Sequence, residues 1–269
     1  SKLLLNKDHV KAKPTVIVLH GGHGFADHTL YVEFWSQFQD IVQVIFIDQH
    51  GCGRSDKGSP DSWNLSRWAS DIKVFCDTLG IEKPVLAGIS IGGHVIGEYI
   101  RKYANSLSGA IFCNTEACFD ARAVADQFAK NGYTDAAQAC LAFYANPNTK
   151  TFHDYAKYCL PLYAKNAYSN EEKKRCIGNN DVFFHFIKNE INNLDYRKDL
   201  TKITFPTLIM AGEHGSHTPE SSYEMTQYIA KEWLTYHLFV GAGAPVYKDE
   251  PDESKLVVEN YLRKIDKNL

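Results

Sequence analysis

Between Val85 and Tyr103 a five-residue apolar stretch, VLAGI, passes into a helical pattern across a turn of two residues. A strand that runs so directly into a helix needs a sharp turn. The helix then carries the chain back across the sheet, so the next strand lies parallel to the first. Other short apolar runs repeat the theme: Thr15–Leu19, Val42–Asp48, Ala110–Asn114, Thr207–Ala211 and Leu234–Val240. Apolar strands bounded by glycines and polar turns predict strands covered on both faces. Leu65–Leu79 has apolar residues at helical spacing, and Gly80 is placed to end that helix. Further helices are expected over Gly92–Tyr103, Glu220–Trp233 and Ser254–Ile265, with Pro219 marking the start of the third. The pattern predicts an α/β fold with a mostly parallel, doubly wound sheet.

The alternation stops between 117 and 200. That stretch has no convincing strand, and its loops are expected around Asn131–Asp135, Asn146–Thr151 and Ser169–Glu172. It holds 14 Phe and Tyr residues, in a chain with 15 of each. Aromatics at that density build a core for a helical subdomain, line a pocket beneath it, or do both. With 269 residues, the chain suits one large domain with such an insertion. A net charge of −3 lacks the basic footprint of a nucleic-acid binder. No apolar run approaches the roughly 20 residues of a membrane span. The first residues, Ser1 to Lys13, are too charged for a signal sequence, and a chain that opens on Ser is processed or trimmed. Seven cysteines without C-x-x-C spacing predict free thiols and a cytoplasmic protein. No metal or cofactor site is expected.

Gly88-Ile89-Ser90-Ile91-Gly92 fits G-x-S-x-G at the strand–helix turn. Glycines two residues on either side of Ser90 keep Cβ atoms out of the turn. Ser90 then stands at a helix N-terminus, where N–H groups and the helix dipole favour negative charge. Ser90 is therefore the candidate nucleophile, and the N–H of Ile91 a candidate oxyanion donor. His20-Gly21-Gly22-His23-Gly24 follows the first strand and is placed to supply a second donor, from Gly22 or His23. No Lys-Ser/Thr follows, so this is not a P-loop. Asp48-Gln49-His50-Gly51-Cys52-Gly53-Arg54-Ser55 follows the second strand, and its charges predict a loop pinned by ion pairs.

With HGGHG, DQHGCGRSD, GISIGG and MAGEHGSHTPE in this order, the chain resembles the α/β-hydrolase superfamily, and within it the proline-iminopeptidase-like branch. The resemblance runs from Lys13 to Ile265. It implies a hydrolase core over 1–116 and 201–269 and a helical lid over 117–200. It also implies an opening β-hairpin, whose first strand is expected to be absent because about a dozen residues precede the HGG strand. The implied acid position falls on Gly215 and the implied histidine position on Ala244, and neither residue can accept a proton.

Several residues are weighed as substitutes. Glu116, after the fourth strand, occupies a site that some members of the superfamily use for the acid. Glu213 and His214 flank the acid position but point differently. His217 could swing inward, and His23 could reach the pocket, while His94 reads as a packed or solvated side chain. No histidine lies within Gly241–Pro251, so the base has no obvious stand-in. Glu116, Phe119 and Tyr158 are the expected pocket residues. Glu116, Asp120, Glu190 and Asp195 are the carboxylates available to hold a substrate amine. The expectation is a serine hydrolase acting on a small-molecule or peptide ester or amide, impaired by recent or deliberate substitution at Gly215 and Ala244. The alternative is a homologue that has left hydrolysis for ligand binding.

Overall fold

The computed structural model describes residues 13–22, 24–166, 168–215 and 217–266. Six strands form one sheet: β1 (Thr15–Leu19), β2 (Gln43–Ile47), β3 (Val85–Ile89), β4 (Gly109–Cys113), β5 (Thr207–Gly212) and β6 (Leu234–Phe239). Their order is β2-β1-β3-β4-β5-β6, and every neighbouring pair is parallel. All six lie where the apolar runs predicted, within a residue at either end. Full burial, however, belongs only to β1, β3, β4 and β5. β2 and β6 are edge strands and stay mostly half-exposed, because each has a neighbour on one side only.

Helices cover both faces. On one face lie α1 (Leu65–Leu79) and α2 (Ile91–Tyr103), which pack Trp68, Ile72, Val95 and Tyr99 against Ile17, Leu19 and Leu86. On the other face, Tyr31–Phe38 and the C-terminal helix bury Trp35, Val258 and Leu262 against Val16, Val18 and Ile111. At the start of α1, the Asn64 side chain accepts from the N–H of Arg67, and Gly80 at φ 67° ends the helix in the left-handed conformation.

Five helices of six residues or more lie between β4 and β5: α3 (Ala121–Lys130), α4 (Thr134–Ala145), α5 (Thr149–Tyr158), α6 (Asn170–Arg175) and α7 (Asn180–Asn189). The extended pairing among the described residues of this insertion is a single bridge, Cys118 to Asp195. Its aromatics pack on one another: the rings of Phe143 and Phe183 stack 5.8 Å apart at 11°. After β5, α8 (Pro219–Glu224) is shorter than expected. The chain beyond it tightens into 3₁₀ turns at Met225–Gln227 and Lys231–Trp233, separated by Ala230 in an extended conformation. The last helix, α9 (Pro251–Asp266), starts three residues before its expected position. The opening hairpin falls outside the described residues.

Candidate active site

β1 lies between β2 and β3, so the chain leaves β1 towards one side of the sheet and returns on the other. The crevice beyond the carboxyl ends of such strands is where open α/β sheets bind ligands. Ser90 stands there, at φ 51° and ψ −118°, conformational space that a non-glycine residue enters only when its surroundings impose it. The surroundings do so. Ser90 N–H donates to the Cys113 carbonyl of β4 at 2.9 Å, and Ser90 C=O accepts from Gly93 N–H at 2.8 Å. A Cβ on Gly88 would collide with the backbone of Gly92, and one on Gly92 with the carbonyl of Leu19. The two glycines thus let β3, α2 and β1 meet within a few ångströms of the serine. As the first residue of α2, Ile91 carries an N–H that the helix itself cannot satisfy. Gly22 closes the loop after β1, its carbonyl accepting from Phe25 at 2.9 Å and Ala26 at 2.8 Å. His23 is not among the described residues.

Ser90 Oγ lies 3.0 Å from Nε2 of His217. Nδ1 of His217 is hydrogen-bonded to Oε2 of Glu116. A carboxylate can only accept, so a neutral His217 carries its proton on Nδ1 and leaves Nε2 to accept from the serine hydroxyl. Both partners are buried: His217 is 6% exposed and Glu116 3%. Burial works against the Glu116 charge, but His217, and His94 behind it, outweigh burial and bring the carboxyl down to about 2. Glu116 is therefore an anion at any ordinary pH.

The loops that bring these groups together are fixed by their own hydrogen bonds. Thr218, next to His217, caps α8 by accepting from Ser221 N–H at 3.0 Å, with Pro219 in the first helical position. Ser222 of α8 donates to the carbonyl of Thr115 at 2.9 Å, which ties the histidine's loop to the glutamate's. The Tyr196 hydroxyl donates to the Glu116 carbonyl. His94 is fully buried, with Nε2 3.4 Å from Glu116 Oε1 and Nδ1 3.4 Å from both Thr115 Oγ1 and Tyr196 Oη. It packs against the acid, as the packed alternative for His94 anticipated.

Gly215 and Ala244 lie against each other. A Cβ built on Gly215 would stand 3.2 Å from Ala244 Cβ and 3.2 Å from the Tyr163 carbonyl. Ala244 faces the same cavity as Ser90 and His217. The two implied triad positions thus converge in space but present no proton acceptor. The serine hydroxyl was expected to have no neighbouring imidazole, but His217 Nε2, from the loop after β5 and not the loop after β6, lies within hydrogen-bond distance of it. Glu213 and His214 do point elsewhere: Glu213 accepts from Gly241 N–H at 2.7 Å, and His214 is exposed. The signals that mark the two residues in sequence are slight. Glu116 closely follows a buried strand, and His217 precedes a Thr-Pro helix start.

A cavity of about 540 Å³ opens onto Ser90. Phe119 lines it as expected, whereas Glu116 and Tyr158 do not. Glu116 lies behind His217, and Tyr158 is half-buried against the core, its hydroxyl accepting from Lys157. Phe143 and Phe183 serve both as core of the insertion and as cavity wall. The loop after β2 is structural. Asp48 accepts from His28 Nδ1 at 2.8 Å, from His28 N–H at 2.9 Å and from Arg54 N–H at 2.9 Å, while the Arg54 guanidinium pairs with Asp27 at 2.9 Å. Burial opposes the Asp48 charge, but these donors hold its carboxyl well below the usual carboxylate range. Asp27, His28 and Asp48 place metal-type ligand atoms close together, yet these internal bonds already occupy them. All seven cysteines are free thiols, and among the described residues no helix is long and apolar enough to cross a membrane.

The model of the alpha/beta hydrolase fold family matches residues 14–251. The chain belongs to this family. Among its relatives, the α/β-hydrolase chain is 25% identical to a proline iminopeptidase of Pestalotiopsis fici, over 93% of this chain and 92% of that protein. It is 23% identical to a proline iminopeptidase of Heyndrickxia coagulans, over 93% and 91%. In solved structures, the fold of this α/β hydrolase is shared with a proline iminopeptidase of Mycobacterium smegmatis (TM-score 0.78, 23% identity, 94% and 90% covered). It is shared also with a thermophilic esterase of Thermogutta terrifontis (TM-score 0.62, 22% identity, 94% and 90% covered). Within the α/β hydrolases, the chain resembles the proline-iminopeptidase-like branch.

Proposed function

We propose that this protein is a working serine hydrolase whose catalytic groups are Ser90, His217 and Glu116. The observation that carries this reading is the chain of hydrogen bonds from Ser90 Oγ through both nitrogens of His217 to a buried, ionised Glu116. These are the parts an activated serine requires: a base in contact with the hydroxyl and a carboxylate that sets the base's tautomer.

Ser90 Oγ attacks the substrate carbonyl and passes its proton to His217 Nε2. The negative charge that grows on the carbonyl oxygen is met by the N–H groups of Ile91 and Gly22. Glu116 stabilises the imidazolium. His217 then gives the proton to the leaving oxygen or nitrogen, and an acyl-serine remains. Water attacks the acyl carbon, His217 takes the water's proton, and Ser90 is released protonated again. The helical insertion acts as a lid over this site. The contact between His217 and Ser90 favours hydrolysis over the ligand-binding alternative, which rests on a missing base.

The test is covalent labelling by a fluorophosphonate together with p-nitrophenyl ester turnover. The native chain should label at Ser90 and turn over. Ser90→Ala should do neither, and His217→Ala should lose both by several orders of magnitude. Turnover that survives Ser90→Ala would sink the proposal.

A further inference from the structure

We infer that the Ser90 cavity selects esters of bulky apolar or aryl-bearing acids, accepts a carboxylate at the end remote from the ester, and disfavours a free amine there. This rests on the hydrolase reading above and concerns what that site admits. At about 540 Å³ the cavity has the size of sites that enclose a drug-sized molecule. Its walls are largely aromatic, with Phe25, Phe119, Phe143, Phe152 and Phe183 among them. Tyr144 and Tyr155 add hydroxyls whose ionisation burial pushes far up, so they remain neutral hydrogen-bonding groups. Such a lining gains most from apolar surface and aryl rings.

The charges decide the polarity of the far end. Among the described residues no Asp or Glu lines the cavity, and Lys173 of α6, an exposed residue, is its one Lys or Arg. The undescribed positions inside the chain, His23, Ala167 and Ser216, are not acidic either. The four carboxylates first considered for holding an amine are engaged elsewhere. Glu116 is held by His217, and Asp120 caps α3. Glu190 accepts from Leu65 N–H at 3.2 Å, and Asp195 pairs with Arg197 at 2.7 Å. An ammonium group entering the cavity would shed water, find no carboxylate among the described lining residues and meet the field of Lys173. A carboxylate finds that same lysine as its partner. Ring faces attract cations, but they do so equally for the wild type and for a variant at position 173, so a charge swap separates the two effects.

The experiment compares kcat/KM for p-nitrophenyl acetate, p-nitrophenyl 3-phenylpropionate, mono-p-nitrophenyl suberate and p-nitrophenyl 8-aminooctanoate. The phenylpropionate should exceed the acetate by about tenfold or more. The suberate should exceed the amino ester by about tenfold. Lys173→Gln should bring that ratio near one, and Lys173→Glu should invert it. In parallel, 4-phenylbutyrate should raise the melting temperature of Ser90→Ala while 4-phenylbutylamine should not. An amine preference, or a ratio indifferent to Lys173→Glu, with Ser90-dependent turnover intact, overturns the inference and leaves the hydrolase reading standing. No Ser90-dependent turnover, with 4-phenylbutyrate still stabilising Ser90→Ala, overturns the hydrolase reading and keeps the cavity's preference. Failure of both arms overturns both.

Discussion

Two neighbouring parts of the sheet's carboxyl edge have taken opposite roles. The loop after β6 is stitched down by backbone bonds. Gly243 N–H donates to Asp249 at 2.7 Å, Ala244 N–H to the Tyr163 carbonyl at 2.6 Å, and Val246 N–H to Asn114 Oδ1 at 2.9 Å. A Cβ on Gly243 would run into the Tyr163 carbonyl. This loop anchors the helical insertion and presents only Ala244 and Pro245 to the cavity. The loops after β4 and β5, bound to each other through Ser222 and Thr115, present a buried glutamate–histidine pair to Ser90. The contrast teaches that the fold fixes where the serine stands but not which loop brings an imidazole to it. Any imidazole that reaches Oγ with its far nitrogen held by a carboxylate has the required geometry.

The sharpest way to break this comparison is to delete the histidine. His217→Ala should lower kcat on a p-nitrophenyl ester by about 10⁴ to 10⁶, the usual cost of losing a triad member. Ala244→Ser, in the other loop, should stay within a few-fold of the native rate. If the two variants behave alike, the roles assigned to the loops are wrong. Glu116→Gln comes next. It keeps the shape but removes the charge and turns one carboxylate oxygen into an NH2 donor, so the tautomer is no longer enforced, and kcat should fall by about 10⁴.

The same substitution has a stability signature. Glu116 titrates near 2 when folded, against an ordinary value of 4.5, so it stabilises the fold above about pH 4.5 and loses that contribution as the pH falls towards about 2. The melting temperatures of the native chain and Glu116→Gln should therefore converge over that window. A constant gap would mean that the carboxylate is not held as an anion.

Smaller effects refine the picture. His94→Gln removes a neighbour of Glu116 that also borders the Ser90 cavity, while leaving the Ser90 and His217 side chains in place. Its loss should cost kcat about tenfold, the scale of one buried polar contact to a charged group, with kcat falling more than KM rises. A KM effect instead would mean that His94 acts through the cavity wall, which it lines, more than through Glu116. The double change Gly215→Asp with Ala244→His rebuilds the triad that the resemblance implies. Gly215 sits at φ 119°, so an aspartate there is strained by about 1–3 kcal/mol, and the melting temperature should drop by about 2–4 °C for each kcal/mol. Activity should not rise above that of the native chain. A clear gain would return the base to the loop after β6.

Much of this was legible in the residues. Apolar runs, helical spacing and the glycines around Ser90 act over a few neighbours, so the sequence by itself determined the six strands, the turn that strains Ser90 and the helical character of 117–200. Its errors are those of context: edge strands look like inner ones because burial depends on neighbours far along the chain, and Tyr158 shares a helix with cavity residues but packs against the core without lining the cavity. The choice between Ala244 and His217 was of the same kind. Ser90 and His217 are 127 residues apart, and His217 and Glu116 are 101 apart. No local pattern sets a distance across such spans. Only the tertiary structure decided it, because the paths of three loops over one sheet edge, fixed by caps and backbone bonds between them, determine which side chain reaches the serine.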